Sequence, residues 1–356
     1  MPPEELQQGK GCILEPLDAP LPHFDYEKAR PQALGAVEIP KVYALEAKYV
    51  TNQAKIDACV GHAVAVQKSW QEGRQVSPRV IWGLTKKSED YVGWGTYIHK
   101  ALNVLAKIGT SNYGFLDESP FVTRDQYMKF EVTDELLSVS TQNKSSSFWH
   151  IAVGKYDLAR EAVYKEGMPL ITSLPWFESY NKHVKGVLPL PSGSSEGHAV
   201  DFLGNAILPD QQEYLTFQTS WSPTWGDKGK FYIPVNKAHL YGIGAFFISL
   251  DIPRDLAEAI NKYGGKLIKT ATSEKIYAVQ GGLKRHIESE LAFWLFSSES
   301  LQKGFETVSQ EVIDLFNEGK PIKASDFDEK TLRVVRNMRD LYKANPTYAQ
   351  KLFESV

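Results

Sequence analysis

The chain has 356 residues, 42% apolar, 12% aromatic and 23% charged, a composition that fits a soluble, well-packed enzyme or structural protein with at least two cores. Forty Lys and Arg against 43 Asp and Glu leave a net charge of −3 with no basic stripe, which excludes a nucleic-acid partner. The longest apolar run, Ile243 to Leu250, falls far short of the ~18–20 residues that cross a bilayer, so no membrane insertion is encoded.

Residues 1–40 hold Pro2, Pro3, Pro16, Pro20, Pro22 and Pro31 with little helical or strand period, and read as an extended N-terminal arm packed along the surface. From about 41 to 130 helix patterns dominate, and from about 131 to 250 β-rich segments take over, which sets a domain at 41–250. Pro253 to Tyr263 reads as a helix with proline in its first turn and Gly264-Gly265 as its stop, inside a linking segment 251–266. Residues 267–325 form a small β module: Lys275 to Ile287 is strand, glycine turn at Gly281-Gly282, strand. In the helical tail 326–356, Leu332, Val335, Met338, Leu341 and Tyr342 share one face before Asn345-Pro346 breaks the helix. The arm and the C-terminal module are the expected handles for homo- or hetero-assembly.

Cys12 and Cys59 are the only cysteines, and Met1-Pro2-Pro3-Glu4-Glu5 lacks a charged-then-apolar leader. Both features argue against Sec-type export into an oxidising compartment, and point to the cytoplasm or to a virion or extracellular assembly. His99, His150, His183, His239 and His286 have no Cys or acidic cluster at ligand spacing, so neither a metal nor an organic cofactor is expected.

Chemistry concentrates around Cys59. It follows the turn-like stretch Asn52 to Asp57 and precedes the helix pattern Ala63, Val64, Val66, Trp70, so the thiol stands at a helix start. Taken alone, such a cysteine reads as a small buried apolar residue. A nucleophile must be a thiolate, and the unpaired N–H groups of a helix N-terminus and a histidine able to hold the proton both favour that form. His198 supplies the second in the apolar strand pattern Gly197 to Gly204, where the preceding glycine admits close approach of another backbone or a substrate. Gln53, six residues before Cys59, would place its amide beside the Cys59 N–H as a two-donor oxyanion hole. His62, three residues after Cys59, reads as packing behind the site and not as a rival base.

Gln53, Cys59, Val76-Ser77-Pro78, Gly95 to Leu102, Gly197-His198-Ala199-Val200 and the block Ser220-Trp221 through Trp225 to Gly229 stand in one order. In that order the chain resembles the papain-like cysteine peptidase superfamily from about Pro40 to about Leu250. Its 139-residue separation of Cys59 and His198 fits that family. The resemblance implies an α+β, papain-like two-lobed fold, with a helical left half and a β-barrel-like right half, and Cys59 facing His198 across the cleft. It further implies a Cys-His dyad cleaving a peptide or amide bond of a peptide or protein substrate through an acyl-enzyme.

Three departures stand out. Thr219 replaces the asparagine that orients the histidine, although its hydroxyl is still an acceptor. Ile56-Asp57 replaces the cysteine and glycine of secreted members, and Val60 replaces the aromatic that usually follows the nucleophile. Trp221, which in the family shields the histidine's hydrogen bond, is retained. By resemblance, Ile171, Ser173 and Trp176 are expected as pocket walls and Gly93-Trp94-Gly95 as the opposite rim. The arm is too short and proline-rich for the helical pro-domain of secreted papains, but crossing the cleft it would act as a block. The segment 267–323 is similar to hairpin modules of bacterial surface and phage-associated proteins. The competing reading is therefore a structural or adhesion component, such as a phage tail or baseplate protein, that keeps an inactive papain-like domain.

Overall fold

The computed structural model describes residues 9–15, 24–29, 39–89, 93–119, 123–280, 282–289, 292–293, 305–327, 329, 331–333, 336–337 and 340. They fall into two compact units, one built mainly from residues up to Asp251 and the other from the residues after it. The boundary also passes through the short strand β1 (Phe24–Asp25), so that α1 (Tyr26–Ala29) belongs to the second unit.

The first unit is α+β, as the sequence predicts. Its helical side holds α2 (Cys59–Glu72), α3 (Pro78–Ser88), α4 (Ile98–Lys107), α5 (Arg124–Met128) and α6 (Asp134–Thr141). Helix α2 is buried along nearly its whole length, Cys59 through Ser69, as expected of a helix carrying Val60, Ala63, Val64, Ala65 and Val66 without an alternating polar face. Gly61 permits α3 to come this close, since a Cβ there would sit 2.5 Å from the Trp82 Cβ. Helix α3 starts where Val76-Ser77-Pro78 suggests: the Ser77 hydroxyl accepts from the Val80 N–H at 3.0 Å and Pro78 fills the first turn.

The β side follows with β2 (Tyr43–Ala44), β3 (Ser147–Ile151), β4 (Leu170–Phe177), β5 (Ser195–Ile207), β6 (Glu213–Gln218), β7 (Lys230–Pro234) and β8 (Phe246–Leu250). Strands β3, β8, β4, β5, β6 and β7 are neighbours in that order, and all their pairings are antiparallel. Helix α7 (Tyr156–Glu166) lies between β3 and β4 in the chain. The long β5 bends at a bulge between Phe202 and Gly204, where Gly204 adopts φ +114°. A side chain there would meet the Tyr43 carbonyl of β2 at 2.2 Å.

Helices and sheet are joined through α2. The Gln67 amide donates to the carbonyls of Pro169 (2.8 Å) and Phe247 (3.0 Å) and accepts from the Ser249 N–H (2.9 Å). Those bonds hold the middle of α2 against β8 and the residue before β4.

The second unit contains α8 (Arg254–Tyr263) and a five-stranded sheet in the order β12 (Phe305–Val308), β9 (Leu267–Thr270), β10 (Tyr277–Gln280), β11 (Leu283–His286), β13 (Asn317–Glu318). The expected hairpin is β10 and β11, paired from Tyr277↔His286 to Gln280↔Leu283, with Gly282 at φ +74° in the turn. Leu267, Ala278, Ile287, Ala292 and Ile322 form its core. Of the apolar stripe read in the tail, Leu332 is buried, while Val335, Met338, Leu341 and Tyr342 lie outside the described residues. No helix among the described residues is long and apolar enough to cross a membrane.

Candidate active site

Cys59 is the first residue of α2, and its cap residue Ala58 offers no side-chain hydrogen bond, so the first amides of the helix remain free of a side-chain cap. His198 is fully buried on β5, opposite Leu174 of β4. At residues 197–199 the β4 side of β5 is paired, whereas β6 joins only from Asp201 onward. The edge left open there faces Cys59: the N–H of Ala199 donates to its Sγ at 3.4 Å.

The histidine ring is held on three sides. Its Nε2 lies 3.2 Å from the Thr219 hydroxyl. Trp221 stacks on the ring with centroids 4.2 Å apart and planes 13° apart, and Trp176 meets it edge-on at 5.4 Å. Its Nδ1 is buried without a hydrogen-bond partner among the described residues. The Thr219 side chain is thus long enough to reach the His198 ring.

Gln53 is buried in the same place. Its Oε1 accepts a short hydrogen bond from Ser220, and its Nε2 donates to the carbonyls of Ile56 (2.7 Å) and Gly9 (2.9 Å). The Trp221 Nε1–H donates to the same Gly9 oxygen at 3.1 Å. The amide expected to await an oxyanion is thus engaged by a carbonyl of the N-terminal arm.

Residues 9–15 occupy the cleft as an extended segment. The N–H groups of Gly11 and Cys12 donate to the Gly197 carbonyl at 3.2 and 3.1 Å, while Gly11 and Ile13 exchange bonds with Thr96, each at 2.9 Å. Lys10 pairs with Glu196 at 3.2 Å and Glu15 with His99 at 2.5 Å. Close approach of another backbone at Gly197, anticipated from its sequence context, takes this form: a Cβ there would lie 2.0 Å from the Cys12 carbonyl oxygen. Cys12 itself is buried in one apolar cluster with Cys59, Ile98, Ile171, Ala199, Ala245 and Phe247.

The other expected residues separate into two groups. Ile171 lies in the cluster that takes up Cys12, and Ser173 is buried two residues along the same strand. Gly95 faces the arm, 3.1 Å from the Gly11 oxygen measured from a built Cβ. Trp94 stacks on Trp82 at 6.2 Å, and Gly93 is half-buried beside it. Trp176 is fully buried, edge-on to Tyr180, His198, Trp221, Trp225 and Phe231. Edge-to-face pairs of this kind contribute about 0.5–1.5 kcal/mol each beyond area burial, and here they fix the wall against which His198 rests.

His62 is spoken for. Its Nδ1 lies 2.8 Å from the Thr51 hydroxyl and its Nε2 3.1 Å from that of Tyr127. Ala199, Ser220, Gly9 and Lys10 were not anticipated; apart from adjacency to His198 or Trp221, nothing local distinguishes them in the sequence. Among the described residues no cluster of His, Cys, Asp or Glu could hold a metal ion.

With the arm in place Cys59 and His198 are both held in their neutral forms. Burial pushes the Cys59 thiol up to about 12, against the smaller opposing effect of hydrogen bonds led by that of Ala199. Burial likewise lowers His198 to about 3, helped by the nearby Lys10 charge. Opening would return the ring toward its ordinary 6.5 and remove Lys10. For His198 alone, the open form binds more protons than the closed one between those two values, so its titration favours opening on acidification through that window, whereas the fall of the Cys59 thiol on opening releases a proton and favours opening as pH rises. In Cys59→Ser, where the thiol no longer titrates, hydrogen exchange at the Cys12 and Ile13 amides, corrected for its chemical pH dependence, is expected to accelerate as pH falls from 6.5, and to lose that acceleration when His198→Gln is added.

No model of a known protein family matches the chain. One curated relative, cathepsin B-like CP3 of Giardia intestinalis, is 34% identical over 82 residues, which is 22% of this chain and 27% of that protein. Among solved structures, the cysteine protease xylellain from Xylella fastidiosa superposes with a TM-score of 0.56 at 20% identity, covering 68% of this chain and 96% of that one. A procathepsin B of Trypanosoma congolense gives 0.48 at 15% identity, covering 68% and 86%. The chain has the papain-like cysteine protease fold.

Proposed function

We propose that the chain is a papain-like cysteine peptidase held latent by its N-terminal arm, acting on a peptide or protein substrate. The likeness to cysteine proteases supports cysteine peptidase function in general terms. The observation that carries the specific reading is the histidine clamp. One ring nitrogen is held by Thr219 and the ring face by Trp221, while the other nitrogen is left unpartnered on the residue next to the one that touches the Cys59 sulfur.

In this reading Cys59 attacks the scissile carbonyl as thiolate, His198 carries the proton to the leaving amine, and Thr219 orients the ring. Gln53 Nε2 and the Cys59 N–H receive the oxyanion once Gly9 has withdrawn. Ile171, Ser173 and the Gly93–Gly95 rim then contact substrate. Water hydrolyses the acyl-enzyme with His198 as base.

The test is iodoacetamide labelling of Cys59 against pH in a chain whose arm has been released, alone and with His198→Ala. Fast labelling that persists below pH 7 and disappears with His198 supports the dyad. Equal, slow labelling of Cys12 and Cys59 would instead leave an inactive domain serving as a structural or adhesion component. Thr219→Val is expected to lower kcat/KM on a fluorogenic peptide amide about 10- to 100-fold, the scale for losing a histidine's orienting partner, while Thr219→Asn retains activity.

A further inference from the structure

We propose that Cys12 and Cys59 form a reversible disulfide that locks the arm into the cleft, making latency redox-controlled. The inference rests on the reading of Cys59 as a nucleophile. The two thiols are the only ones in the chain, and both are free and buried.

The geometry points to the pair through one strand edge. On the open edge of β5 the Gly197 carbonyl and the Ala199 N–H stand next to each other and aim the same way, as the groups of residues i and i+2 do in any strand. The first accepts from the Cys12 N–H at 3.1 Å and the second donates to Cys59 Sγ at 3.4 Å. Two adjacent backbone groups thus seat the two cysteines side by side. Both residues pack in the same apolar cluster. A small apolar residue of almost any kind would fill that space; a cysteine adds chemistry that alanine or valine would not.

The oxidant is a low-molecular-weight disulfide such as oxidised glutathione. With the arm lifted, Cys59 thiolate attacks one of its sulfurs: a Cys59–glutathione bond forms, the glutathione S–S bond breaks, and the departing thiolate takes the proton held by His198. When the arm returns, the Cys12 thiol loses its proton and attacks Cys59 Sγ. The Cys12–Cys59 bond forms and the second glutathione leaves with that proton. Two protein thiols are oxidised and one glutathione disulfide is reduced to two thiols. A reductant reverses both steps and frees the arm.

The full-length chain, wild type and Cys12→Ser, is incubated with oxidised glutathione at neutral pH, quenched in acid and mapped by non-reducing peptide mass spectrometry. The expected result is a peptide pair joined through Cys12 and Cys59 in the wild type, abolished by dithiothreitol. In Cys12→Ser, Cys59 is expected to stop at the glutathione mixed disulfide. A wild type that also stops at the mixed disulfide overturns the latch and leaves Cys59 as the nucleophile. A Cys59 that takes up no glutathione in either protein, and none in Gly197→Ala, overturns both the latch and the peptidase reading.

Discussion

Gly197→Ala is expected to open the cleft and to raise the alkylation rate of Cys59 at neutral pH by roughly 10²- to 10³-fold. A Cβ at this position meets the Cys12 carbonyl oxygen at 2.0 Å, the Cys12 carbonyl carbon at 3.0 Å and Leu14 Cδ2 at 3.2 Å, all of them atoms of the arm. Gly197 is not among the residues with positive φ, so alanine brings no backbone strain of its own. The arm must retreat by more than an ångström, and the bonds from Gly11 and Cys12 to the Gly197 carbonyl go with it. Each contributes about 0.5–1.5 kcal/mol net.

Once water and His198 reach the sulfur, the thiol falls from about 12 toward the range of histidine-paired cysteines, at or below 7. Five pH units of added thiolate population would give about 10⁵. Intrinsic nucleophilicity falls with a Brønsted slope of about 0.4–0.5, which returns roughly half of that in logarithmic terms. Labelling kinetics by intact mass measure the result, with removal of residues 1–15 as a second route to the same opening. Unchanged labelling in both would show that the arm is not what silences Cys59.

His198→Ala in the opened chain should lower hydrolysis of a peptide amide by about 10⁴-fold or more, close to the floor set by Cys59→Ala. Removing either member of a nucleophile and base pair costs nearly as much as removing both. His62 is not placed to soften the loss. Both nitrogens of His62 are engaged, by Thr51 and Tyr127, and burial holds its ring neutral down to about 3. Measured kcat/KM for the three proteins decides the matter. A His198→Ala rate within tenfold of the opened parent would remove His198 from the mechanism.

Much of the site was legible because its signals are local. A turn followed by Ala63, Val64 and Val66 predicts a helix with Cys59 at its start, and α2 begins at Cys59. The apolar run after Gly197 predicts a strand under His198, and β5 spans it. Pro253 and Gly264 bracket α8 because proline suits a helix start and glycine a stop. The surroundings of Trp176 were not legible, because alternation along β4 tells which residues share a face but not what covers each face. That depends on Tyr180, Trp221, Trp225 and Phe231, residues from other segments that close around it.

The sequence by itself determined the residue types, their order and the elements that carry them: a thiol at a helix N-terminus, an imidazole on a strand, a Gln before the one and a Thr-Ser-Trp after the other. These follow from short-range periodicity and side-chain chemistry. Only the tertiary structure decided that Thr219 reaches His198, that Gly9 engages Gln53, and that Cys12 comes to rest beside Cys59. It alone also decided the protonation of Cys59 and His198, because a charge's cost depends on how completely water is excluded. At Cys59 and His198 that exclusion is produced by segments far apart in the chain, packed over one another.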